Sequence, residues 1–163
     1  MTDRSDGIRR QIERVYASLE EPQFHFVYAV LALRPYDALR ARLAARFAVT
    51  DDTVPDDDVS FGFVLDTREG RHVLRLSMIG RYAMLLRMVP GAPAEVVAAG
   101  TALSEDEAHI VAELTRDGLD VLDRATLDER VPLVLFGAPK GETRLYQALF
   151  VDSDVIPWER AQS

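Results

Sequence analysis

The sequence predicts an α+β fold. It reads as a single domain over residues 1–163, built on a mainly antiparallel sheet of five to six strands with about three helices packed on one face. Three observations carry this. From Val59 to Met88, apolar and polar residues alternate in three runs separated by "TREG" and "GR", the pattern of an antiparallel meander. Apolar residues at helical spacing appear on both sides of that stretch. Strands grouped together, with helices segregated from them, distinguish α+β from an alternating α/β chain. The length of 163 residues suits one domain with a real core, and an apolar content of 48% argues against disorder.

Residues 4–19 read as an amphipathic helix, with Ile8, Ile12, Val15, Tyr16 and Leu19 on one side. Ser5 or Asp6 can cap it, and "EEPQ" ends it. "FHFVYAVLALR" (Phe24 to Arg34) is apolar almost throughout, so periodicity does not separate a buried strand from a buried helical segment. A strand is the expectation. Pro35 then suits the first turn of a second helix, with Leu39, Leu43 and Phe47 on one face. "TDDTVPDDD" is a loop, since its carboxylates repel and Pro55 breaks a helix.

In the meander, Val59, Phe61, Phe63 and Leu65 form the first alternating set and Leu74, Leu76 and Met78 the second. Tyr82, Met84, Leu86 and Met88 form the third. Alternation predicts that Phe61, Phe63, Leu74, Leu76, Met84 and Leu86 share one core. After a connection over "VPGAPAEVVAAG", Ser104 and Glu107 have the spacing of a capping box before Ile110, Val111 and Leu114. Gly118 can end that third helix. "VPLVLF" and "RLYQALFV" flank "GAPKGET" and read as a second hairpin, with Tyr146, Ala148 and Phe150 on one face of a central strand and Leu145, Leu149 and Val151 on the other.

The formal charge of −8 is uneven. Residues 50–67 carry six acids and no base, and residues 104–130 carry nine acids against three arginines. Such a chain repels phosphate backbones and attracts basic partners, so no nucleic-acid ligand is expected. The longest apolar run is too short to span a bilayer and the N-terminus has no apolar signal core, so a soluble, cytoplasmic protein without a membrane partner is expected. Without cysteine there are no disulfides, thiolate metal sites or Cys nucleophile. Eighteen arginines against one lysine suggest GC-rich codons and a bacterial source.

No motif marks catalysis. "GAPKGET" departs from a phosphate loop because Lys140 precedes Gly141 and a strand is expected to follow. Glu105, His109 and Glu113 fall on one helix face, but no further ligand completes a metal shell. His25 and His72 have no neighbouring nucleophile or acid in sequence. "DSD" at Asp152 to Asp154 lacks the Gly and distal Glu of a calcium loop. No metal, cofactor or catalytic residue is therefore expected. The candidate partner-binding residues are Asp51, Asp52, Asp56, Asp57 and Asp58 in the acidic loop, with Asp152, Asp154 and the sole tryptophan, Trp158. Trp158 reads either as a structural latch over the sheet or as an aromatic anchor rimmed by acids.

"GRYAMLLR" (Gly80 to Arg87) and "LYQALFVDSDVIPW" (Leu145 to Trp158) resemble segments of small cytoplasmic bacterial proteins grouped with polymorphic-toxin immunity proteins. That resemblance implies a non-enzymatic inhibitor that binds a cognate toxin domain, and an acidic chain suits a basic toxin. Two alternatives stand beside it. A secretion or folding chaperone is one: the small acidic chain is also similar to type III secretion chaperones, although those usually end in a helix. An enzyme with no readable motif is the third.

Overall fold

The computed structural model describes residues 3–56 and 58–161. Helices α1 (Asp3–Tyr16), α2 (Phe26–Leu33) and α3 (Asp37–Ala44) precede strands β1 (Ala48–Asp51), β2 (Ser60–Thr67), β3 (Gly70–Ser77), β4 (Tyr82–Arg87) and β5 (Glu95–Val97). Then come α4 (Glu105–Arg116), β6 (Asp120–Val121), α5 (Arg124–Leu127) and α6 (Leu145–Leu149). The strands form one sheet in the order β1-β2-β3-β4-β5, all antiparallel, and β6 adds a short parallel pairing to β4. The fold is thus α+β with a mixed, mostly antiparallel six-stranded sheet. No helix among the described residues is long and apolar enough to cross a membrane.

Register assigns each strand residue to a face. Phe61 pairs with Leu76, and Leu76 with Ala83; Phe63 pairs with Leu74, Leu74 with Leu85, and Leu85 with Val97. These rows lie under α3 and α4. The Tyr36 ring, at the start of α3, meets Phe61 edge-on at 5.4 Å. The Arg40 guanidinium lies 5.7 Å from the centre of the Phe63 ring. The opposite face carries Gly62, Arg75 and Met84 in one row and Val64, Val73 and Leu86 in the next. All six residues expected in the core are buried, but Met84 and Leu86 face away from the other four. β4 is covered on both sides, so apolar residues fill both of its alternating sets and alternation loses its meaning there.

That second face is closed by α6 and the chain after it. Ser60 donates its hydroxyl to the Phe150 carbonyl at 2.8 Å, and Ser77 donates to the Leu149 carbonyl at 2.7 Å. Tyr16, fully buried, donates to the Ala148 carbonyl at 2.6 Å and ties α1 to the same segment.

Two expectations are corrected. Residues 26–33 are helix α2, not a strand. Alanine and leucine supply four of its eight residues and favour helix, and Arg34 closes it in the left-handed region at φ 50°, just before Pro35. The second hairpin does not form either. "RLYQALFV" contains α6, whose Gln147 side chain accepts from the Arg144 N–H at 2.9 Å. "VPLVLF" forms no ladder with it, and the isolated bridge there joins Arg130, the residue before the segment, to Arg144. Pro132 has no N–H to offer one. The Ser104–Glu107 capping box at α4 is present as expected.

Candidate functional site

α2 reads "FVYAVLAL", and of these residues Val27 alone is buried. Phe24 and Phe26 pack edge-on against Tyr16, with ring centres 5.5 and 5.4 Å away. Tyr28, Ala29, Ala32 and Leu33 remain in water, Tyr28 at 63% and Leu33 at 76% exposure. Spacings of one and four residues put these four on one side of the helix. A helix that is apolar all round is normally buried. This one keeps an apolar stripe in solvent, a hallmark of an interaction surface.

Phe136 joins it, at 95% exposure. Along "VPLVLF", Val131, Leu133 and Leu135 point inward while Pro132, Val134 and Phe136 point outward. Asp152 fixes the end of this segment. Its carboxylate accepts from the Gly137 N–H at 2.5 Å and the Phe136 N–H at 3.2 Å. A side chain at 137 has no room, because a Cβ there would lie 2.5 Å from Asp152 Oδ1 and 2.7 Å from the Ser153 backbone nitrogen. Gly137 and Asp152 together therefore hold Phe136 outward.

Between α2 and Phe136 lies a cleft of about 460 Å³, lined by Phe24, Val27, Tyr28, Pro55, Asp56, Asp58, Val59, Phe136 and Asp152. A neighbouring cleft of about 310 Å³ shares Phe24 and Phe136 and adds Glu20, Glu21 and Val134. Five carboxylates (Glu20, Glu21, Asp56, Asp58 and Asp152) line the two, with no Lys, Arg or His. Asp56 accepts from the Tyr28 hydroxyl at 3.1 Å, a bond that pushes the Tyr28 phenol above its ordinary value. The surface is apolar at its centre and negative at its edge.

The residues singled out in sequence are placed unevenly around it. Asp56 and Asp152 line the cleft. Asp51 ends β1 opposite Phe63 and lies 3.6 Å from Arg40; Asp52 is exposed beside it. Asp57 lies outside the described residues. Asp58 is not a free loop charge: it is 5% exposed and paired with Arg75 at 2.9 Å. Asp154 is exposed and lines a separate polar cleft together with Arg130, Arg144 and Glu159. Trp158 is 5% exposed, stacks edge-on to Tyr146 at 5.0 Å and donates its N–H to Asp128 at 2.9 Å. It occupies the place of a latch and offers no ring face to a partner.

The α4 face is consumed by ion pairs. Glu113 meets Arg42 at 2.8 Å, Glu105 lies near Arg46 and Arg68, and the His109 ring leans on Phe47 at 5.9 Å. Among the described residues no group of three His, Asp or Glu is placed to hold a metal ion. The densest buried charge is elsewhere. Glu107 accepts from Arg87 at 2.6 and 2.7 Å and lies 2.7 Å from His72 Nε2. Burial alone would raise its carboxyl; bonds from Arg87, the Ser104 N–H and His72 outweigh that and hold it at about 2. His72 and Glu107 are 0% exposed, so this pair supports the packing of α4 on the sheet.

No known protein family matches this chain. Likewise, no curated protein and no solved structure is similar enough to count as a match. What the site can do rests on its own geometry. Sequence reasoning missed Tyr28 and Leu33 because it read their segment as buried, and Phe136 because it placed "VPLVLF" in a hairpin without assigning its faces. The available signal was excess: "FVYAVLAL" and "VPLVLF" hold more apolar residues than one buried face can take.

Proposed function

We propose that this protein is a non-enzymatic binding protein that docks and inhibits a basic protein partner, in the manner implied by its resemblance to polymorphic-toxin immunity proteins. The observation that carries the reading is the exposed apolar stripe of α2 and Phe136, beside clefts lined by carboxylates and by no base. Aromatic side chains at the centre of a surface supply most of the binding energy of an interface, and a charged rim selects the partner and speeds encounter. A negative rim selects a positive surface, as many nucleic-acid-cleaving domains present. The bonds from Asp152 to the Phe136 and Gly137 N–H groups orient Phe136 before any partner arrives, which lowers the ordering cost of binding.

The test is co-expression with the reading frames that flank the gene. A stable complex with a basic product, and relief of that product's toxicity, is the expected result. Tyr28→Ala and Phe136→Ala should each weaken the complex about 30-fold or more, the scale of a hot-spot residue. Failure of every flanking product to bind, with turnover of a small molecule by the purified chain, would overturn the reading.

A further inference from the structure

We infer that the cleft between α2 and Phe136 seats one arginine side chain of the partner; this rests on the binding function proposed above. The argument begins with how this chain treats its carboxylates. Where a carboxylate is buried in the fold, an arginine neutralises it: Asp58 has Arg75 at 2.9 Å, Asp106 has Arg46 at 3.0 Å and Glu107 has Arg87 at 2.6 Å. Asp56, exposed, and Asp152, half-buried, lie in the cleft outside that arrangement. Each accepts hydrogen bonds from neutral donors, and among the described residues neither has an ion-pair partner. Two unneutralised negative charges thus border a concave site, and an occupant with a positive head satisfies them.

The walls set the rest of the chemistry. Phe24, Tyr28 and Phe136 present three aromatic rings to the cleft, and the flat face of an aromatic ring attracts a cation. A guanidinium is planar, stacks on such faces and forks its N–H groups towards carboxylate oxygens, which a lysine ammonium does as a point charge only. Its three-methylene stem suits the apolar floor at Val27 and Val59. An anionic or purely apolar occupant leaves both charges unmatched. A volume of about 460 Å³ accepts one such side chain with the backbone that carries it.

The test uses the intact chain, labelled with ¹⁵N, and three probes: the N-acetyl methylamides of arginine, citrulline and norleucine. Citrulline keeps the size and planarity of arginine without its charge. The expected result is saturable shifts at the Val27, Tyr28 and Gly137 amides, with the arginine probe about tenfold tighter than citrulline. In Asp56→Asn, which keeps the exposed side chain's size, that preference should shrink while the dispersed spectrum shows an intact fold. Norleucine binding as well as arginine, or no saturation by any probe, would overturn the inference. Free arginine binding far more tightly than its blocked form would overturn it too, by assigning the cleft to a metabolite. The partner complex separates the two levels of the argument. Loss of binding in Phe136→Ala but not in Asp56→Asn removes the arginine and leaves the binding function. Binding untouched by either variant removes the docking surface itself.

Discussion

Trp158 and Asp128 stand thirty residues apart and are joined by a hydrogen bond of 2.9 Å from the indole N–H to Oδ1. Asp128 also accepts from Arg144 at 3.0 Å, and Arg144 reaches on to Glu159 at 2.8 Å. The irregular tail is thereby tied to the turn after α5 and to the start of α6. Trp158→Ala removes the ring from beside Tyr146 and leaves a large void, so it should cost about 3–5 kcal/mol of stability. Urea unfolding followed by circular dichroism measures this. A loss below about 1 kcal/mol would return the tryptophan to the surface.

Phe63 is 5% exposed, in register with Leu74 and under the Arg40 guanidinium. Phe63→Ala should cost about 3–5 kcal/mol by the same measurement.

The acidic loop should divide in behaviour. Asp51, Asp52 and Asp56 are exposed, so their joint change to Asn should slow association with a basic partner and flatten its salt dependence, with little change in dissociation. Stopped-flow mixing at several salt concentrations reads both rates. Asp58→Asn should act on the fold instead. It strips Arg75 of its buried partner, at a cost of about 3–5 kcal/mol.

Acid should destabilise the chain through Asp106 and Glu107. Burial raises both carboxyls, but hydrogen bonds from Arg68 and Arg46 to Asp106, and from Arg87 to Glu107, prevail and hold each at about 2. Both groups release their protons more readily folded than unfolded. Their contribution is therefore complete above about pH 4.5 and is lost as the pH falls towards about 2. Unfolding free energy should drop across that window, and Glu107→Gln should make the drop shallower. An unchanged slope in that variant would place the acid sensitivity elsewhere.

Gly137→Ala should leave most of the fold intact and harm binding. The added methyl displaces Asp152 and the backbone at Ser153, and with them the direction of Phe136. A complex of unaltered affinity would show that the Phe136 loop does not need this docking.

The parts of the fold that were legible in sequence have local causes. The alternation from Val59 to Leu86 gave the meander, and Ser104 with Glu107 gave the start of α4, because strand pleat and capping geometry act within a few residues. The errors arose where local signals are silent. Residues 26–33 are apolar on every side, so no period could distinguish helix from strand or inside from outside. "LYQALFV" has the composition of a strand, and tertiary contacts at Ser60 and Ser77 go to a helix instead. For the site, the acids of its rim were visible and its aromatic centre was not. Asp58 was misread, and Trp158 was left between latch and anchor, because only the fold brings Arg75 and Asp128 to them.

The serines that meet α6 lie 90 and 72 positions earlier in the chain. During synthesis the meander leaves the ribosome well before the segment that closes its second face at Ser60 and Ser77. Every molecule thus passes through an interval as a sticky half-sandwich, which favours aggregation. Ribosome pauses or premature stops between residues 90 and 145 should therefore yield insoluble product, while substitutions at Phe136 in the full-length chain should not.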